Sequence, residues 1–115
     1  MEEQGPGNKR KFERYDLILP ATYMDLGSKK EGKAKMRDIS DQGIRMTLAE
    51  NLPVGTRLDI WLCMPNGGRL YIKGEVVWSK GPESGEYSIG VRMPEEELIK
   101  AMGVVENAMK GFTNL

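Results

Sequence analysis

Lys33-Ala34-Lys35-Met36-Arg37-Asp38-Ile39-Ser40-Asp41-Gln42-Gly43-Ile44-Arg45-Met46-Thr47-Leu48 is the stretch on which the reading of this chain turns. It opens with apolar and charged residues in alternation, the period of a strand with one buried face. Ala34 and Met36 point inward and the cations beside them outward. The alternation then breaks. Continued strictly, it would bury Asp38 and Ser40 and expose Ile39, and burying an unpaired carboxylate is costly. A bulge or strand end near Arg37-Asp38 resolves the conflict: Ile39 turns in, and Asp38 and Ser40 turn out together. The chain must reverse three residues after Ser40, where Gly43 permits a left-handed backbone. Ile44, Met46 and Leu48 form the inner face of the next strand, with Arg45 and Thr47 outside.

The same period extends in both directions. Upstream, Tyr15, Leu17, Leu19, Ala21 and Tyr23 share one face of a half-buried strand, with Asp16 and Thr22 on the other. Pro20 favours an edge or a bulge there. Gly27 to Gly32 is a polar turn. Downstream, Asn51 to Thr56 is a loop, and Leu58, Ile60, Leu62 and Met64 line a strand. Pro65-Asn66-Gly67-Gly68 is a hairpin turn. Leu70, Ile72, Val76 and Trp78 continue with period two, and Gly74 among them marks a bend or a close approach. A turn over Lys80–Gly85 leads to Tyr87, Ile89, Val91 and Met93.

Pro94-Glu95-Glu96-Glu97 opens a helix, because proline suits a first turn and acids suit the positive end of the helix dipole. Leu98, Met102, Val105 and Met109 recur at helical spacing and read as core contacts. Lys110 suits the last turn and Gly111 can end it. Gly103 weakens the helix by roughly 1 kcal/mol against alanine, so packing must hold it. About six short antiparallel strands joined by tight turns, followed by one C-terminal helix, predict a mainly β fold: a small closed or nearly closed barrel.

Composition removes several classes of function. The 115 residues read as one domain, long enough to bury a core without disulfides or a structural metal. There is no histidine and a single cysteine, Cys63, which reads as a small strand residue. A His/Cys zinc site, a Ser-His-Asp triad and a Cys-His pair are therefore excluded, and no metal ligand or catalytic residue is expected. One unpaired cysteine fits a reducing cytoplasm. No apolar run approaches the ~20 residues of a membrane span, and the polar, acidic Met1–Gly7 is no secretory signal. Seventeen cations balance seventeen anions, which argues against coating DNA or RNA through bulk electrostatics. A compact anionic ligand needs only local positive charge.

Such local charge lies near the start. Lys9, Arg10, Lys11 and Arg14, with Glu13 among them, give a net of about +3 over six residues. Arg10 and Arg14 are four apart, on one side of either a helical turn or a strand. Their planar forks match phosphate or carboxylate. By themselves these residues read equally as a solvated basic arm or as an anion grip. Asp38, Ser40 and Gly43 form the second cluster; alone, they fit a turn that bonds its own backbone.

Together the two clusters resemble the PilZ family of bacterial domains that bind the second messenger cyclic di-GMP. The family's motifs are R-x-x-x-R, often after another basic residue, and D/N-x-S-x-x-G some 20–30 residues later. Here they are Arg10-Lys11-Phe12-Glu13-Arg14, preceded by Lys9, and Asp38-Ile39-Ser40-Asp41-Gln42-Gly43. Gly74-Glu75-Val76-Val77-Trp78 and Ile89-Gly90-Val91-Arg92-Met93 also look like the family's late strands. The resemblance covers about residues 9–110. It implies a six-stranded antiparallel β-barrel with a flexible basic N-terminal arm and a C-terminal α-helix. It divides the chain into a flexible N-terminus, 1–8, and a single PilZ-like domain, 9–112.

The resemblance also implies a function: a non-enzymatic cytoplasmic receptor with cyclic di-GMP as ligand and no other cofactor. Lys9, Arg10, Arg14, Asp38, Ser40, Gly43 and Trp78 are the ligand-binding candidates. Guanidinium pairs with phosphate and with guanine O6 and N7. Asp38 accepts only, which suits the N1–H and N2–H₂ donors of guanine, and Ser40 donates or accepts nearby. Gly43 shapes the turn. Trp78 has two readings, a rim aromatic against the ligand or a core aromatic on the Leu70–Val76 face. Arg45 and Arg92 point away from the core and add positive charge. Lys9 keeps the charge of the commoner arginine without its fork, which leaves one or two bound ligands open. Ordering of the arm by the ligand would be read by a downstream protein partner. The rival reading is a PilZ-like adaptor that contacts proteins and binds no nucleotide. A small barrel binding RNA or single-stranded DNA would need exposed aromatics along a basic groove, and the chain has eight aromatics, most at expected core positions.

Overall fold

A computed structural model describes residues 14–113, with side chains to Lys110. Lys9, Arg10 and the expected flexible segment 1–8 lie outside the described residues. Six strands and one helix follow one another: β1 Leu19–Asp25, β2 Glu31–Ser40, β3 Gly43–Leu48, β4 Arg57–Cys63, β5 Arg69–Glu83, β6 Glu86–Arg92 and α1 Glu95–Thr113. All neighbouring strands pair antiparallel in the order β1-β2-β3-β6-β5-β4, and β4 pairs back onto β1. The barrel is closed, and no strand of it is left with a free edge.

The inner face is the predicted one. Met36, Ile39, Met46, Leu58, Ile60, Leu62, Ile72, Val76, Ile89 and Val91 are fully buried. Each such side chain contributes about 1.5–3 kcal/mol by leaving water. Gly74 lies against Val91 and the backbone of Arg92, so a side chain there would collide. Acidic Glu95, Glu96 and Glu97 occupy the first turn of α1, and Leu98, Ala101 and Val105 are its buried stripe. Met102 and Met109 pack against the same core from partly exposed positions. The helix runs past Gly111 to Thr113, because glycine permits a stop without imposing one.

Three expectations change at the strand level. Tyr15 is not part of β1; it makes an isolated bridge, exchanging both backbone hydrogen bonds with Ile39 at 2.8 and 3.1 Å. Pro20 lies inside β1, not on an edge, but it pairs only toward β2, and the β1–β4 ladder starts one residue later at Ala21. The turn expected over Lys80–Gly85 shrinks to its end. β5 continues to Glu83, which pairs with Glu86 across Ser84-Gly85. Both of these residues have positive φ (51° and 81°), the conformation of a two-residue hairpin turn. Pro82 falls where the ladder slips between Lys80 and Glu83, so it interrupts no pairing.

A bulge in β2 fixes the site. The β2–β3 register slips between Met36 and Asp38, as the cost of burying Asp38 in the core predicts. Ile39 is fully buried and Asp38 pairs across to Arg45 on the outer wall.

Candidate functional site

The outer wall of β2, β3, β6 and β5 carries one cross-strand row. Asp38 is paired with Arg45, Arg45 with Gly90, and Gly90 with Trp78. Paired residues share a face, so all four lie outside the barrel. Three strand spacings separate Asp38 from Trp78, about 14 Å along the wall.

Asp38 faces outward and yet keeps only 8% of its side-chain exposure. Arg45 is what makes this tolerable. Its Nε and Nη2 both donate to Asp38 Oδ2, at 2.9 and 2.8 Å, from a side chain that is 44% exposed. The charge-assisted bonds replace the water that the carboxylate has lost. Sequence reasoning gave Arg45 only a general positive charge; its partner follows from the bulge-shifted register.

Ser40 closes β2. Its Oγ accepts the Gln42 backbone N–H at 3.1 Å, the turn-forming role weighed for it. Gly43 is required at its position twice over. Its φ is +119°, and a Cβ would run into the Val91 carbonyl oxygen. Arg14 lies one residue before the Tyr15–Ile39 bridge, level with Ser40 along that antiparallel pair. It is 62% exposed and its Nε is 3.3 Å from Asp16 Oδ1, itself 67% exposed.

Trp78 is not the core aromatic of its second reading. The β5–β6 register slips between Val76 and Trp78, so Val76 stays in the core and Trp78 turns out. The indole is 36% exposed and lies over Gly90, where its Nε1 occupies the place a Cβ would take. Gly90 thus lets the ring lie flat across β6, a role sequence reasoning missed although a glycine inside a strand is a signal for such an approach. Lys80 Nζ sits 5.7 Å from the Trp78 ring. Arg37 flanks the row, its Nε donating to Thr47 Oγ1 at 3.0 Å. Arg92 does not join the row. It pairs with Glu75 at the end of the barrel and lines a cavity of about 650 Å³ with Asp41, Gln42, Met93 and the Leu98–Met102 face of α1.

The wall therefore offers a held carboxylate, a half-exposed guanidinium, an aromatic face and, at its end, a labile second guanidinium. A family model of the PilZ domain matches residues 8–102. The chain belongs to the PilZ domain family. This PilZ chain also resembles solved structures at low identity. The PilZ domain of Escherichia coli YcgR with c-di-GMP superposes with a TM-score of 0.65 at 13% identity, over 93% of this chain and 98% of that one. YcgR from Escherichia coli in complex with c-di-GMP gives 0.64 at 17%, over 92% of this chain and 50% of that one. The Bacillus subtilis inhibitor of motility, MotI/DgrA, gives 0.64 at 16%, over 93% and 53%. The chain thus spans about half the length of the last two. At these identities the likeness establishes the fold. No curated protein matches the sequence. Among the described residues no helix of this PilZ domain is long and apolar enough to cross a membrane, and no cluster of metal-ligating side chains occurs.

Proposed function

We propose that this PilZ domain is a non-enzymatic cytoplasmic receptor for cyclic di-GMP. The observation that carries the reading is the outer-wall row, with the Asp38 carboxylate held at one end and the exposed Trp78 ring at the other. Asp38 accepts from the N1–H and N2–H₂ edge of a guanine, and Ser40 assists from the end of the same strand. Trp78 gives a base a face to stack on; such stacking is worth about 1–3 kcal/mol. Lys9, Arg10 and Arg14 take the phosphates and the guanine O6/N7 edge. Gly43 keeps the turn tight enough for the ligand to approach.

The Tyr15–Ile39 bridge sets Arg14 beside the wall. Its only partner among the described residues is an exposed aspartate, which a doubly charged ligand displaces at little cost. Binding draws residues 9–14 against the barrel, and a downstream protein reads the changed surface. The family and the c-di-GMP held by both YcgR structures support this reading.

Calorimetric titration with cyclic di-GMP tests it. Binding in the micromolar range or tighter is expected, about −8 kcal/mol or better. Arg14→Ala and Asp38→Ala should each weaken it about tenfold or more. Absence of binding by the intact chain would remove the receptor reading and leave a protein-contacting adaptor. Slower amide exchange over residues 8–15 in the presence of ligand is expected, and unchanged exchange would reject the ordering step.

A further inference from the structure

We propose that Arg45 is a positioning residue for ligand recognition: it fixes the Asp38 carboxylate in the orientation that reads a guanine edge and makes no contact of its own with the ligand. The inference rests on the receptor reading above. Its basis is the way the guanidinium is applied. Nε and Nη2 close on one oxygen, Oδ2, at 2.9 and 2.8 Å. Oδ1 has no hydrogen-bond partner among the described residues. A carboxylate gripped by one oxygen cannot turn about its last bond without losing both contacts. Among the described residues Oδ1 is therefore the open acceptor, held in a single orientation.

Register makes the grip reliable. Arg45 stands directly across from Asp38 because the bulge in β2 sets that pairing, and on its other side it faces Gly90. Gly90 has no side chain to pair with the guanidinium. The Arg45 fork thus has one carboxylate to serve. A lysine in its place keeps the charge, but as a point donor on a flexible stem it does not fix the carboxylate plane.

The rival roles make opposite predictions. If Arg45 met the ligand phosphates directly, its loss would weaken binding whether or not Asp38 is present. If it closed a purely structural pair, correctly folded variants would bind as the parent does. Positioning predicts coupling instead. Calorimetric titrations with cyclic di-GMP on the intact chain, Arg45→Gln, Arg45→Lys, Asp38→Asn and Arg45→Gln/Asp38→Asn decide among these. Circular dichroism establishes that each variant is folded, and the glutamine and lysine variants each retain a donor for Asp38. Arg45→Gln is expected to weaken binding about tenfold in the parent and less than about twofold in the Asp38→Asn background. Arg45→Lys is expected to recover less than half of that loss. The preference for cyclic di-GMP over cyclic di-inosine monophosphate, which lacks the 2-amino donors, should shrink in Arg45→Gln. Additive losses in the cycle, or equal losses for the two ligands, would overturn the positioning role while leaving the receptor reading intact. Failure of the intact chain to bind cyclic di-GMP would overturn both.

Discussion

Two of the guanidinium–carboxylate pairs near this wall sit in opposite settings. Arg45 and Asp38 meet through two bonds under 3 Å, with the carboxylate nearly closed to water. Arg14 and Asp16 meet at 3.3 Å with both side chains mostly in solvent. Burial makes the first pair obligatory, because a lone carboxylate there would have neither water nor a partner charge. Exposure makes the second optional, since water replaces either partner and salt screens the rest. In the proposed receptor the rigid pair would hold a reading group in place before the ligand arrives, and the loose pair would release a cation when it does.

Breaking the rigid pair should give the larger effect. Arg45→Ala leaves Asp38 without its partner. Loss of one member of a buried pair costs 3–5 kcal/mol in general, and the half-exposed guanidinium brings the expectation here to about 2–3 kcal/mol once solvent screening is discounted. Urea unfolding measures it. The double variant Asp38→Ala/Arg45→Ala should be more stable than Arg45→Ala alone, because no orphan charge remains. A loss below about 0.5 kcal/mol for Arg45→Ala would place this pair with the ordinary surface ones.

What the sequence made legible follows the cost of being wrong. The barrel was readable because Leu58, Ile60 and Leu62, or Ile44, Met46 and Leu48, can bury themselves in only one register. The β2 bulge was readable because ignoring it would have buried Asp38 in the core. The β5 bulge was not. Val77 and Trp78 are both apolar, so no prohibitive burial marks the point where parity changes, and Trp78 kept two readings until the register with Gly90 was known. Arg45 was hidden for a related reason. Its partnership with Asp38 depends on which residues of two strands stand opposite, and a one-residue slip in β2 decides that.

Breaking the loose pair should barely touch the fold. Asp16→Ala is expected to change stability by less than about 0.5 kcal/mol in urea unfolding. Its effect belongs to binding. With Asp16 gone, Arg14 no longer gives up a partner to reach a phosphate, and affinity for cyclic di-GMP should rise about twofold at low salt, with the gain fading at high salt. Weaker binding by Asp16→Ala would show instead that the aspartate holds Arg14 ready, as Arg45 holds Asp38.

A third polar pair tests how much an exposed contact can hold when only one partner is charged. On β4 and β5, Tyr71 donates its phenol hydrogen to Asp59 Oδ1 at 2.5 Å, beside the Trp61 ring. That hydrogen bond, more than burial or the nearby charges of Asp59 and Glu97, pushes the Tyr71 pKa up from 10 to about 12. The neutral phenol is the form the fold favours. Its contribution is therefore complete below pH 10 and is lost as pH rises from about 10 to 12. Phenolate absorbance should show a tyrosine titrating near pH 12 that Asp59→Asn returns toward 10, while Tyr23, raised by burial, is left where it was. Asp59 pairs with Met24 and Lys73 and is not in the Asp38–Trp78 row, so Asp59→Asn should leave ligand affinity unchanged. An Asp59→Asn titration curve identical to the parent's would mean that this exposed bond is as easily given up as the one between Arg14 and Asp16. Short donor–acceptor distance would then count for little without the burial that Asp38 has.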